Sequence, residues 1–211
     1  MGTDTDTRQR ILNAAVQVFA RKGKAGARMQ EIADLAKANK AMIYYYYNSK
    51  DNLYEKVLDL VLEEMFSEMN RVALTKDSPE EKVRQVIDAY VDFYIHRNDS
   101  FQLLLREIVS GGEILGRAVL NHKDTFLQNP DILPARIIQE GIDTGAFRPL
   151  DSHHTLMSLM GMTIVYALGH PIANGIFGLE DAELPSFVEE RRLHIADLLL
   201  NGLLVKQNAT F

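Results

Sequence analysis

Apolar residues return every three or four positions along nearly all of this 211-residue chain, and nowhere do they alternate. That period is the mark of amphipathic helix, and the lack of alternating runs, of an Asn-Gly hairpin and of internal repeats leaves no strand to predict. Ile11, Leu12, Ala15, Val18 and Phe19 form the first stripe, and Gly23 stands where a helix end needs a left-handed residue. Met29, Ile32, Ala33 and Ala36 form a short second helix. A third follows the N-cap Asn39 and carries Ile43, Tyr44 and Tyr47. Ser49 caps a long helix with Leu53, Val57, Leu58, Val61, Met65 and Met69 inward.

Local punctuation predicts the remaining helices. Ser78-Pro79-Glu80-Glu81 joins a capping box to a proline at the first helical position, and the helix continues through Val83, Ile87, Tyr90, Val91 and Tyr94. Others are expected from Phe101 to Gly111-Gly112, from Ile114 to Leu127, and from Pro134 to Asp143 before Gly145. Asp151 caps a further helix that Pro171 ends or kinks, and the last runs from Pro185 to Val205. The chain is expected to be all-α, with a three-helix head in residues 1–49, a helical body in 50–211 and a seam at 47–50.

Charge divides along the same seam. Residues 1–50 hold nine basic side chains against four acids, a net of +5, whereas the other 161 residues hold 14 against 25, a net of −11. Such a division suits a head that binds a polyanion on a body that does not. The absence of cysteine excludes disulfides, thiolate metal sites and cysteine nucleophiles, and fits a reducing compartment. The polar opening from Thr3 to Arg10 is not a secretory leader, so a cytoplasmic protein is expected.

No acid, lysine or arginine occurs from Ser152 to Leu179. The strongly apolar part, Leu156 to Leu168, is too short for a membrane span and is interrupted by Ser158, Gly161 and Thr163. A helix buried in a core or an oligomer interface is expected there, and no membrane partner.

Residues 28–47 place two short helices around the turn Lys37-Ala38-Asn39. In a helix-turn-helix the second helix enters the major groove, with its first turn on the base edges; here that turn is Lys40, Ala41 and Met42. Ile43 and Tyr47 would face back onto the first two helices. Four consecutive tyrosines cannot all be core on one helix, so Tyr45 and Tyr46 point outward. A stacking platform for single strands would need the strands of a nucleic-acid-binding sheet or barrel, which the sequence lacks. The N-terminal amides of the next helix, with Lys50, could hold a further phosphate.

The run Ile11-Leu12-Asn13-Ala14-Ala15 with Phe19 and Gly23, then Ile32-Ala33, then Lys40 through Leu53 resembles the TetR/AcrR family of transcriptional regulators. The last stretch looks like the family's Ser-Lys-Gly-Thr-Leu-Tyr-x-x-Phe-x-x-Lys-x-x-Leu pattern, and the match covers residues 7–55 in order. The resemblance implies a helix-turn-helix head that contacts double-stranded operator DNA, and a body that binds an effector and dimerises. With it, DNA contact is assigned to Arg28, Gln30, Lys37, Asn39, Lys40, Ala41, Met42, Tyr44, Tyr45, Tyr46 and Lys50. Arg28 and Met29 stand where threonines are usual, Lys37 replaces the usual turn glycine, and Tyr47 replaces a phenylalanine. The Tyr47 hydroxyl then needs a partner if buried.

In the body, Glu140 to Pro149 also looks like a stretch frequent in TetR-type ligand domains. The helices in 152–170 and 185–205 would form a four-helix homodimer interface, with Met160, Gly161, Ile195, Leu198, Leu199 and Gly202 in it. An effector pocket lined by Tyr90, Tyr94, Phe101, His122, Phe126, Met160 and Tyr166 would take a small apolar or aromatic ligand, with Arg106, Glu107 or Arg117 within reach. His153 and His154 are adjacent, point to different sides, and are not read as a metal site. No cofactor is expected, and no nucleophile elbow, zinc-protease, P-loop or dinucleotide motif appears, so no catalytic residue is assigned. The expected function is a dimeric, ligand-responsive repressor. The alternative is a helical small-molecule carrier without DNA binding, against which the basic head and the intact 40–50 segment speak.

Overall fold

The computed structural model describes residues 2–121, 134–178 and 184–204. Its helices are α1 (Gly2–Gly26), α2 (Met29–Ala36), α3 (Lys40–Tyr47), α4 (Lys50–Ala73), α5 (Pro79–His96), α6 (Asn98–Val109) and α7 (Glu113–Asn121). They continue with α8 (Pro134–Asp143), α9 (Ser152–Phe177) and α10 (Leu184–Leu203). Among the described residues there is no strand, only one isolated bridge between Phe147 and Leu204. No helix among them is long and apolar enough to cross a membrane. The all-α expectation holds.

The chain forms two compact units: residues 1–66 with 97–124, and residues 67–96 with 125–211. The first therefore takes in, besides the head helices, the start of α4 together with α6 and α7. Its core joins Ile11, Ala15, Val18 and Phe19 of α1 to Ile32, Ala33, Ile43, Tyr47, Leu53, Val57 and Leu58, all buried. Phe19 and Tyr54 meet edge to face, with centroids 4.8 Å apart at 89°. Gly23 takes φ 66°, ψ 172°, breaking α1 one turn before its end, as its position predicts.

The second unit packs Met69, Val72, Val83, Val86, Ile87, Tyr90 and Val91 against Ile137, Ile138, Phe147, Leu159, Val188, Ile195, Leu199 and Leu203. Within this largely apolar core, the 4%-exposed Lys82 reaches both carboxylate oxygens of Glu140, at 3.0 and 2.8 Å. The Phe147 amide donates to the Gly141 carbonyl at 2.8 Å.

Ser78 and Asp151 cap the helices that they precede. The Ser78 hydroxyl accepts from the Glu81 amide at 3.3 Å, and the Asp151 carboxylate from the His154 amide at 2.8 Å. That hydrogen bond is the main reason the Asp151 carboxyl lies below its ordinary pKa. Helix α1 begins at Gly2, because its polar first turns pair within themselves through Arg10 with Asp6 and Thr7. Helix α9 runs on through Pro171 to Phe177, so the proline does not end it.

Candidate nucleic-acid interface

The helix-turn-helix is built from three local decisions. At the end of α2, Lys37 takes the left-handed conformation (φ 51°, ψ 43°) that usually falls to glycine, and the chain reverses there. Asn39 then caps α3, its side-chain oxygen accepting from the Ala41 amide at 2.9 Å. At the far end Asn48 also takes a positive φ of 60°, and the Ser49 hydroxyl accepts from the Asn52 amide at 3.1 Å to start α4.

These turns put opposite faces of α3 to opposite uses. Ile43 (0% exposed) and Tyr47 (2%) anchor the helix in the core. The Tyr47 hydroxyl finds its partner in the Arg8 carbonyl at 3.1 Å, while the Arg8 guanidinium lies 5.8 Å from the ring centroid. Burial nevertheless keeps the Tyr47 phenol above its ordinary pKa. On the other face Lys40, Ala41, Tyr44 and Tyr45 are exposed, Tyr45 by 80%. The Lys40 ammonium lies 6.0 Å from the Tyr44 ring centroid. Met42 is half-buried.

The remaining assigned residues differ in exposure and in their partners. Arg28 is exposed at the start of α2 and makes no capping bond, and Lys37 and Asn39 are exposed at the turn. Gln30 is exposed but its amide donates to Asp34 at 2.8 Å. Lys50 is half-buried, with its ammonium on the Ala25 carbonyl at 3.2 Å. Tyr46 is half-buried and donates to Asp4, an acid that the sequence reading left without a role. Only its spacing to Arg8 on one face of α1 could have pointed to it.

The other assigned residues are less unified. Tyr90, Tyr94 and Met160 belong to the second unit, where the tyrosine centroids lie 6.3 Å apart and Tyr94 Oη lies 3.5 Å from Thr163 Oγ1. Phe101 is buried in the first unit. His122, Phe126 and the side chain of Tyr166 lie outside the described residues. Arg106 and Glu107 have partners within the first unit: Arg106 holds the Ala20 and Arg21 carbonyls at 2.6 and 3.1 Å, and Glu107 accepts from Tyr54. Arg117 is exposed on α7.

Of the residues assigned to the dimer face, Leu198 and Gly202 are exposed, while Met160 and Gly161 are half-buried. Ile195 and Leu199 are buried in the protomer's own core, because positions four apart on α10 face inward together. No group of three or more His, Asp or Glu side chains among the described residues could hold a metal ion.

A short helix fixed from behind by Ile43 and Tyr47, with Lys40 and two phenols on its open face, defines a helix-turn-helix DNA-binding protein. Comparison with known proteins gives the family. Residues 11–57 match the model of bacterial regulatory proteins of the tetR family, and residues 76–167 match the tetracyclin repressor-like C-terminal domain. The chain is 34% identical to the HTH-type transcriptional repressor NicS of Pseudomonas putida over 198 residues, covering 93% of this chain and 92% of that one. It is 35% identical over 117 residues to the HTH-type transcriptional repressor SCO4008 of Streptomyces coelicolor, or 56% and 55% of the two chains. The solved structure of a TetR-like transcriptional regulator from Rhodococcus shares the fold, with a TM-score of 0.66 at 22% identity over 93% of this chain and 94% of that one. The chain belongs to the TetR family of transcriptional regulators.

Proposed function

We propose that the protein is a dimeric repressor that holds an inverted-repeat operator through two copies of α3 and releases it when a small apolar or aromatic effector binds the second unit. The observation that carries the DNA reading is the exposed face of α2, the turn and α3. Among the described residues Arg28, Lys37 and Lys40 make no ion pair, and Tyr44 and Tyr45 are exposed on α3, whose other face is buried. Lysines and arginine dock phosphates, while Ala41, Met42 and the tyrosine edges read the groove. The negative sign of regulation is supported by the two relatives named as repressors. Tyr94 and Thr163 form one polar pair within the apolar second unit, the Thr163 hydroxyl lying also on the Leu159 and Met160 carbonyls, and a mainly apolar ligand is the class we infer for it. No catalytic step is assigned, and the cytoplasm is the place where the operator would be met.

The test is salt dependence. Two heads that neutralise several phosphates each should give a log–log slope of about −0.9 per phosphate. Lys40→Ala should weaken binding and cut that slope by roughly two units per dimer. Duplex binding that ignores salt would overturn the reading.

A further inference from the structure

The first two turns of α1 and the end of α3 are joined through two adjacent tyrosines. Tyr46 Oη donates to the Asp4 carboxylate, and Tyr47 Oη donates to the Arg8 carbonyl at 3.1 Å. Asp4 and Arg8 are four residues apart, so both acceptors lie on one face of α1. Tyr46 and Tyr47 are neighbours, so one turn of α3 spans both. A phenol that donates to a carboxylate holds its proton more tightly, and the bond to Asp4 is the main reason the Tyr46 pKa is raised.

The clasp reaches the open face of the helix. The Tyr46 ring meets the ring of Tyr45 edge-on, with centroids 5.2 Å apart at 69°. Tyr45 is 80% exposed, against 43% for Tyr44. A phenol fixed at its hydroxyl thus braces the ring that the duplex would meet first.

The charge of Asp4 makes its place informative. Residues 1–50 carry a net +5, and an acid beside the recognition helix works against every phosphate that approaches. Its contribution to recognition must come through geometry. Its charge lowers affinity for all sequences alike, while its hydrogen bond favours the one sequence that the fixed tyrosines fit.

We propose that Asp4 is a positioning residue for DNA recognition, holding the Tyr46 hydroxyl so that Tyr45 presents one geometry to the duplex. The inference rests on reading α3 as the recognition helix.

The test uses the full chain. The wild-type protein first enriches its preferred duplex from a random-sequence pool, and a shuffled duplex of equal length serves as control. Asp4→Ala and Tyr46→Phe should each lower the ratio of preferred to shuffled affinity about 3- to 10-fold, the factor that one net hydrogen bond carries. The double variant should lose no more than either single one, because both remove the same bond. Asp4→Asn, whose amide oxygen can still accept from the phenol, should keep most of the ratio while binding both duplexes more tightly. A merely structural role would lower both affinities and the melting temperature together and leave the ratio alone, and that result overturns the proposal. A Tyr46→Phe variant that discriminates like wild type, or losses that add in the double variant, would also overturn it while leaving α3 as the recognition helix. Wild-type protein that enriches no sequence would overturn the recognition-helix reading, and Asp4's role with it.

Discussion

Tyr54 donates its hydroxyl to Glu107 at 2.6 Å with both side chains buried, and so ties α4 to α6 inside the first unit. Tyr54 is also held by the edge of Phe19 and by the Lys24 ammonium 5.7 Å from its ring centroid. Tyr54→Phe keeps the ring and its packing but takes the donor from a buried carboxylate. Such a loss costs about 1–3 kcal/mol. Chemical denaturation should show that fall, and a variant as stable as wild type would mean that water reaches Glu107.

The same burial makes stability depend on alkaline pH. Tyr54 and Tyr90 are both pushed up from the ordinary phenol pKa, chiefly by burial, with the bond to Glu107 adding to Tyr54. The fold favours the neutral phenol, whereas the unfolded chain ionises near pH ~10. Their contribution is therefore complete below that pH and is lost as pH rises above it. Each phenol adds up to about 1.4 kcal/mol per pH unit to the fall. Unfolding at a series of pH values should show the fall, and Tyr54→Phe or Tyr90→Phe should flatten it.

Gly141 has no room for a side chain. A Cβ there would lie 2.1 Å from Cδ2 and 2.4 Å from Cε2 of Phe147, whose ring is 1% exposed. The Phe147 ring is held by the core of the second unit and its amide by the Gly141 carbonyl, so neither can yield cheaply. Gly141→Ala should cost about 3 kcal/mol, the upper end for overpacking. Adding Phe147→Leu should recover part of that loss, which two-variant denaturation would measure.

Lys37 sets two demands against each other. Its φ of 51° costs a residue with a Cβ roughly 1 kcal/mol relative to glycine, yet its exposed ammonium stands at the turn that would face phosphates. Lys37→Gly should stabilise the fold by up to about 1 kcal/mol and weaken duplex binding at the same time. A gain in stability with unchanged DNA affinity would remove Lys37 from the interface.

The head was legible because its signals are local. Asn39, Ser49 and Gly23 act within one turn of their own positions, and Ile43 and Tyr47 sort themselves by helical period alone. The partners of polar groups were not legible in the same way. Asp4 meets Tyr46 across 42 positions and Glu107 meets Tyr54 across 53, and no periodicity relates them. Arg106 and Glu107 looked available to a ligand for that reason, until the fold spent them on α1 and α4. The absence of charge in 152–177 hid its inward side, since a helix without charges carries little amphipathic signal.

Leu198 shows which side of α10 is left over. Ile195, Leu199 and Leu203 are buried in the protomer, whereas Leu198 is 60% exposed. Along α9, Met157 and Val165 are exposed by 65% and 62%, eight positions and therefore two turns apart. Large apolar side chains left open on two helices of one unit mark an interaction surface rather than a solvated one. A second copy meets the demand of an inverted repeat, because a two-fold operator needs a two-fold protein. Leu198→Glu places a charge on a side chain that is 60% exposed, so it should leave the fold and its melting temperature near those of wild type. Sedimentation should then show monomers where the wild type shows dimers. Operator affinity should fall about 10²- to 10⁴-fold, the advantage of having the second half-site contact supplied by the same particle. Ile195→Glu gives the contrast, since a charge at a fully buried position should unfold the second unit instead of splitting a dimer. Wild-type protein that stays monomeric at micromolar concentration would refute the interface, and operator binding retained by monomeric Leu198→Glu would refute its coupling to recognition.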